Sequence, residues 1–277
     1  MKALLVDGLN LVRRIYAAVP AREGAPSGGD GGGENDGHLA DVISSSVASL
    51  RRALQQHDPS HCLVVFDGGR CNWRHELYPD YKKNRAPMPA PLRGGMARIT
   101  GAFGEIHVRC FSRDDFEADD IIATVAAKIA ARGGRALILS TDRNYCQLLG
   151  DGIAVFDHFA QRPLDREMVV KKFQVQPRQL PEFLALAGDS GASIPGVQSV
   201  GARTAAKLLG AHGGLEEALG AAESGAIRGK LGAKLRADGE HARLARKLFT
   251  LRTDLDLGIN LSELRYAPPQ SAAEGAH

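Results

Sequence analysis

Three short apolar runs along the chain each end in an acid: Ala3-Leu4-Leu5-Val6 before Asp7, Leu63-Val64-Val65-Phe66 before Asp67, and Leu137-Ile138-Leu139-Ser140-Thr141 before Asp142. Unbroken apolar runs of this length, bounded by polar residues, are the pattern of strands buried on both faces. Strand signals recur at residues 3–7, 61–67, 105–109, 135–141 and 153–157, and helical periodicity fills much of what lies between. The alternation predicts an α/β chain with a parallel sheet flanked by helices. Open sheets of this kind hold ligands at the carboxyl ends of their strands, so the three aspartates share one rim. A helix predicted from about Phe116 to Ala131 buries Ile121, Ile122, Val125, Ala126 and Ile129 and opens on Glu117, Asp119 and Asp120. Glu117 and Asp120, three apart, share a face.

The alternation divides the chain into residues 1–174, a helical region at 175–262 punctuated by Gly188, Gly191, Gly196 and Gly201, and a frayed tail at 263–277. Within the first part, residues 69–95 carry Trp73, Tyr78 and Tyr81, then the bases Arg70, Arg74, Lys82, Lys83 and Arg85, then Pro87, Pro89 and Pro91. With no strand pattern of its own, this stretch reads as a basic flap or arch over the acidic rim. Glu23–Gly37 is glycine-dense without an apolar face and reads as a mobile loop before a helix starting near His38.

A hydrophobic fraction of 44% with 24% charged residues excludes a disordered chain, and a net charge of +3 does not by itself point to nucleic acid. The sorting of charge is more telling. Six carboxylates at one rim repel one another strongly unless cations lie among them, which points to a divalent-metal site. Bases gather instead in the 69–95 stretch and from Arg228 to Lys247. Phosphodiester hydrolysis suits this pairing, because hard cations held by carboxylates activate water and stabilise the attacking and leaving oxygens. Lys82 and Arg85 are the bases best placed to meet a scissile phosphate. Further on, Gly196 and Gly201, five apart and leading into a helix at Thr204–Leu209, form a turn that can offer backbone N–H groups to a phosphate whatever the base. The acids of the Glu117 motif also complement a helix dipole, and the glycine turn also serves as a plain connection between helices. Cys62, Cys71, Cys110 and Cys146 lack zinc or redox spacing and read as reduced thiols. No apolar stretch is long enough to span a membrane or serve as a secretory signal, so the expectation is a cytoplasmic protein.

Asp7-Gly8-Leu9-Asn10, Phe66-Asp67, Tyr78-Pro79-Asp80-Tyr81-Lys82-Lys83-Asn84-Arg85, Glu117-Ala118-Asp119-Asp120, Ser140-Thr141-Asp142 and Gly188-Asp189 followed by Ile194-Pro195-Gly196-Val197 together resemble the bacterial and phage 5′ nuclease family. The similarity runs from Met1 to about Arg265. Trp73-Arg74-His75, Tyr145-Cys146-Gln147-Leu148-Leu149 and Leu186-Ala187-Gly188 resemble the stand-alone flap endonucleases of that family more than its polymerase-fused domains. The resemblance implies a PIN-like nuclease sheet, a helical arch, a C-terminal helix-hairpin-helix-like region and Mg²⁺-dependent cleavage at or near the foot of 5′ single-stranded DNA flaps. It assigns a first metal site to Asp7, Asp67, Glu117, Asp119 and Asp120, phosphate contacts to Lys82 and Arg85, and duplex contacts to Ser199, Val200, Gly201, Ala202, Arg203 and Thr204. It also implies a K⁺ held by the backbone carbonyls of Leu186, Ala187, Pro195, Val197 and Val200.

The second metal site departs from the family pattern. The family usually has an aspartate two residues after the one matching Asp142 and another three after the one matching Asp189; here Asn144 and Ala192 stand there. A second Mg²⁺ is then held loosely by Asp142, Asp189, water and substrate phosphate, with Asn144 able to add its carbonyl oxygen, or binds only with DNA. The rival reading is a branched-DNA binding protein with little or no catalysis. A PIN-like ribonuclease is a third reading, but it has no need of the helical region. The chain ends soon after that region, which argues against a fused polymerase, and nothing in the pattern requires a dimer.

Overall fold

The computed structural model describes residues 1–20, 33–69 and 72–267. Four apolar runs become the parallel strands β1 (Lys2–Asp7), β2 (His61–Val65), β4 (Arg135–Leu139) and β5 (Ile153–Asp157). Two short edge strands, β3 (Arg109–Phe111) and β6 (Arg162–Pro163), complete a six-stranded sheet in the order β3-β2-β1-β4-β5-β6, antiparallel only at β6. The sequence places the third strand at 105–109. It forms later because helix α4 (Ala90–Glu105) runs through Glu105 before the chain turns back at His107, which has φ +59°.

Strand periodicity splits the core. Ala3 and Leu5 of β1 join one apolar cluster and Leu4 and Val6 the other, both sets essentially inaccessible to water. Helices α1 (Gly8–Ala18), α2 (Gly33–His57) and α4 cover the second face, while α5 (Ala118–Ala130) covers the first. The cluster on the α5 face continues without interruption into α7 (Leu180–Ala187), α8 (Ala202–His212), α9 (Leu215–Glu223), α10 (Gly229–Ala237) and α11 (Gly239–Phe249), preceded by α6 (Arg166–Phe173).

Several boundaries differ from the expected ones. Helix α2 starts at Gly33, ahead of His38, and residues 23–32 of the glycine-rich stretch lie outside the described residues. Residues 69–95 contain α3 (Trp73–Leu77) and the first turn and more of α4. The helical region also holds a small antiparallel ladder, β7 (Gly188–Asp189) with β8 (Ile194–Pro195). Gly188 takes φ +79°, and a Cβ on Gly196 would meet the Leu186 carbonyl at 2.4 Å, so the backbone of this turn closes only around glycines. The start of the expected tail is docked: Arg265 bridges His61, Tyr266 donates its N–H to the Ser60 carbonyl, and Leu264 is buried. Residues 268–277 lie outside the described residues.

Candidate active site

The strand-end aspartates owe their positions to helix capping. Asp7 ends β1 and caps α1, its Oδ1 accepting the Asn10 N–H at 3.0 Å. Asp142 accepts the Asn144 N–H at 2.7 Å at the start of a 3₁₀ turn, Arg143–Leu148. Asp67 accepts the N–H of Ala118, the first residue of α5, at 2.8 Å. Each carboxylate is thereby tied to its own strand end and to backbone donors at a helix start, where the helix dipole favours negative charge.

These side chains line an open cleft of about 700 Å³ at the carboxyl edge of the sheet. Asp7, Asp67, Asp119, Asp142 and Asp189 face it, together with Lys82 and Arg85. Asp7 is pushed up to about 7 by burial, with Asp67 and Asp142 adding repulsion against the hydrogen bonds from Asn10 and Ser140. Asp119 is held well above the usual carboxylate range by burial and, despite Lys82, by Asp142, Asp7 and Glu117. These acids repel one another, and a cation among them would relieve the repulsion. Among the described residues no three acid, histidine or cysteine side chains close into a cage around one point. The donor set is a group of carboxylates along an open cleft, which suits a hard divalent cation that keeps waters and takes only a few carboxylates.

Glu117 and Asp120 are each ion-paired to a basic side chain. Asp120 is inaccessible to water, and its four lone-pair positions are taken: Oδ1 by Arg74 Nη2 (2.8 Å) and the Arg252 N–H (3.0 Å), Oδ2 by Arg74 Nη1 (2.6 Å) and Trp73 Nε1 (2.9 Å). Asp120, expected among the metal ligands, therefore has no oxygen position left to offer, and Arg74, expected on the substrate surface, is buried beside it. Glu117 accepts from Arg74 (3.0 Å) and Tyr81 (3.1 Å) at Oε2 and from Lys82 (2.7 Å) at Oε1. Burial would raise its pKa, but Lys82 and Arg74 outweigh that and hold it below its ordinary value. Lys82 is stabilised as the ammonium: burial opposes the charge, while Tyr81, Glu117 and Asp119 favour it more strongly.

The segment carrying Lys82 crosses to the helical half. Lys82 adopts φ +54°, its N–H donates to the Ala192 carbonyl at 2.8 Å, and the Asn84 N–H donates to Ser193 Oγ at 3.2 Å. Asp189 caps the same loop by accepting the Ala192 N–H at 2.7 Å. Asn144, expected to lend a carbonyl oxygen to a second ion, instead accepts from Gln147 Nε2 at 2.7 Å through Oδ1 and donates to the Phe249 carbonyl.

Beyond the glycine turn, helix α8 begins at Gly201 without any side-chain cap, and Gly201, Ala202 and Arg203 are exposed, with Thr204 half-buried. Val200 is buried, and Ser199, at φ +62°, accepts from Lys234 Nζ at 2.6 Å. Of the carbonyls expected around K⁺, that of Leu186 accepts the Val197 N–H, that of Val197 accepts the Val200 N–H, and that of Pro195 lies 2.8 Å from His241 Nε2. Ala187 closes α7 next to the turn. The Arg228–Lys247 run is partly neutralised, since Arg243 pairs with Glu216 and Glu240 and Arg246 with Glu216.

The cleft also contains residues without a site role in the sequence pattern: Asn10, which enters there only as part of a motif, and Arg13, Arg14, Arg143 and Lys172. Asn10, Arg13 and Arg14 fall at i, i+3 and i+4 on α1, a shared face readable from spacing once Asp7 is taken as the cap. Buried Tyr145, which donates to Asp119 Oδ1 at 2.7 Å, is marked only by its place in a family-like motif, not by spacing.

The chain that builds this acid-lined sheet edge and helical half matches two family models in succession: "5′-3′ exonuclease, N-terminal resolvase-like domain" over residues 2–174 and "5′-3′ exonuclease, C-terminal SAM fold" over residues 175–272. The chain belongs to the 5′-3′ exonuclease family. Among individual proteins it is similar to the flap endonuclease Xni of Shewanella frigidimarina, with 39% identity over 96% of this chain and 98% of the relative. The fold is shared with T5 5′-exonuclease bound to divalent zinc ions (TM-score 0.72, 22% identity, 91% and 90% of the two chains). It is also shared with a bacteriophage T5 flap endonuclease in a pseudo-enzyme-product complex with DNA and metal ions (TM-score 0.71, 21% identity, 90% and 89%).

Proposed function

We propose that this protein is a structure-selective, Mg²⁺-dependent endonuclease that hydrolyses DNA at or near the base of 5′ single-stranded flaps. The observation that carries this reading is the convergence of five aspartates with Lys82 and Arg85 on one cleft. Asp7, Asp67 and Asp119 would hold the principal ion, with Glu117 able to add Oε1, and Asp142 and Asp189 would hold a second ion loosely. Bound there, Mg²⁺ supplies Lewis-acid stabilisation of phosphate oxygens and a water of lowered pKa. Lys82, kept protonated by its acidic neighbours, serves as a cation for the scissile phosphate and not as a base. Arg85 stands on the cleft wall with Arg13, whose charge it disfavours after burial, so the two present paired positive charge to a phosphate backbone. The uncapped start of α8 offers backbone N–H groups to a duplex phosphate, and the neighbouring carbonyls of the β7–β8 turn are the proposed K⁺ ligands. Relatives named flap endonuclease over nearly the whole chain length support the substrate class.

The branched-DNA binding reading keeps one observation in its favour, the engagement of Asn144 by Gln147 and Phe249 together with apolar Ala192, which leaves the second ion few protein ligands. Cleavage of a labelled 5′-flap duplex with and without Mg²⁺, beside Asp119→Ala, separates the two. The expected result is ion-dependent cutting that Asp119→Ala abolishes while flap binding in Ca²⁺ persists. Tight flap binding with no cutting across Mg²⁺ and Mn²⁺ titrations would establish the binding protein instead.

A further inference from the structure

We infer that Arg74 is a positioning residue for the reaction: it fixes Glu117, and through Glu117 the phosphate-facing Lys82. The inference rests on the nuclease reading of the cleft. All five N–H donors of its guanidinium are used. Nε donates to the Leu248 carbonyl (2.8 Å), Nη1 to Glu117 Oε2 (3.0 Å) and Asp120 Oδ2 (2.6 Å), and Nη2 to Asp120 Oδ1 (2.8 Å) and the Thr250 carbonyl (3.5 Å). The plane of the fork lies against Trp73, 4.4 Å from the ring centre. Three separate parts of the chain therefore meet at one side chain: α3 at the base of the Lys82 segment, the start of α5, and the chain leaving α11.

The division of labour at Glu117 gives this arrangement its consequence. Arg74 and Tyr81 saturate Oε2, so the remaining acceptor capacity of the carboxylate is confined to Oε1, the oxygen that holds Lys82. Asp120 takes no part in the cleft; it anchors Arg74, and Trp73 and the Arg252 N–H lock Asp120 in turn. Glu117 and Asp120 contribute two buried negative charges, and Arg74 and Lys82 supply the two positive ones. Removing Arg74 leaves Lys82 shared between competing acids and frees Glu117 to rotate. Lysine is not an equivalent, because a single ammonium cannot reproduce a planar fork that spans two carboxylates and two carbonyls.

The chain provides its own probe, since Trp73 is its only tryptophan and is bonded to this network. Divalent-ion binding to the full-length protein is titrated by Trp73 fluorescence with Mg²⁺ alone, without reference to activity. Arg74→Lys should raise the midpoint by about 10- to 100-fold, the usual penalty for losing a partner that orients a ligand. Single-turnover cleavage at saturating flap DNA should slow by a similar factor, with flap affinity in Ca²⁺ unchanged. In a Lys82→Ala background, Arg74→Lys should cost much less than it does alone, because part of its effect passes through that lysine. An unchanged ion midpoint, or fully independent effects of the two substitutions on cleavage, would overturn the inference. If Arg74→Lys does not fold, Asp120→Asn preserves the shape of the anchor while removing its charge. The same midpoint shift there supports the inference, and no shift overturns it. Failure of the wild-type protein to cut would refute the proposed function, while the Mg²⁺ titration would still decide whether Arg74 orients the site.

Discussion

At the level of single residues, the acids of this chain divide into those that face the cleft in mutual repulsion and those whose oxygens are already saturated with hydrogen bonds. Asp7 belongs to the first group, raised to about 7 by burial and by Asp67 and Asp142. Asp7→Asn should therefore raise the melting temperature of metal-free protein measured in EDTA, while abolishing any stabilisation by Mg²⁺. A lower melting temperature in EDTA would show that the Asp7 bonds to Asn10 and Ser140 outweigh the repulsion it suffers. Sequence spacing identifies both groups as candidates for one site, because Glu117, Asp119 and Asp120 differ only in which side of a helix start they occupy. What separates them is Arg74, 46 positions away from Asp120 in sequence and in no periodic relation to it. Only the folded chain shows that one acid of the motif is a structural anchor.

Among the elements, strands with a continuous apolar run were legible, since β1 and β2 are buried along nearly their whole length and β4 over most of it, while β5 keeps Val155 buried. The three-residue β3 was displaced because α4 runs to Glu105 and the apolar Ile106 and Val108 are buried in the turn that follows it, in the cluster that holds Ile99 and Phe103. The glycine turn was legible in its spacing, but the two-residue ladder that it closes was too short to show a period. Gly201 tests the role of that turn. It sits in extended backbone, with no atom within 4 Å of the point a Cβ would occupy, so Gly201→Leu meets no clash, should cost only the modest penalty of a poorer N-cap residue, and covers the open start of α8. Duplex binding should weaken alike for all sequences, and its salt dependence should become shallower, as measured by anisotropy titrations over a range of salt concentrations. Unaltered affinity would remove this helix start from the DNA interface.

On the scale of the whole molecule, one part of the pH response comes from the opposite face of the sheet from α5. His57 and His158 are both depressed below their ordinary value, His57 by burial and the charge of Lys2, and His158 by burial, Arg52 and His57 against the opposing pull of Asp157 and the Ser49 hydrogen bond. A histidine that is harder to protonate when folded stabilises the native state above its unfolded pKa near 6.5, and that contribution is lost as pH falls below it. Asp7, raised to about 7, acts in the opposite sense over the same range, so the histidine contribution is read as a difference: on going from about pH 7.5 to 5.5 in EDTA, the melting temperature of a His57→Asn, His158→Asn double variant should shift upward relative to that of the parent. An identical pH response in the two proteins would assign the acid sensitivity elsewhere.

The apolar cluster that passes from α5 through α7 to α11 without a break has a practical corollary. A chain cut near residue 174 would expose matching greasy faces on both pieces. Neither piece should be soluble by itself, yet the two expressed together should reassemble, so that activity could be made to depend on bringing separate fragments into one place.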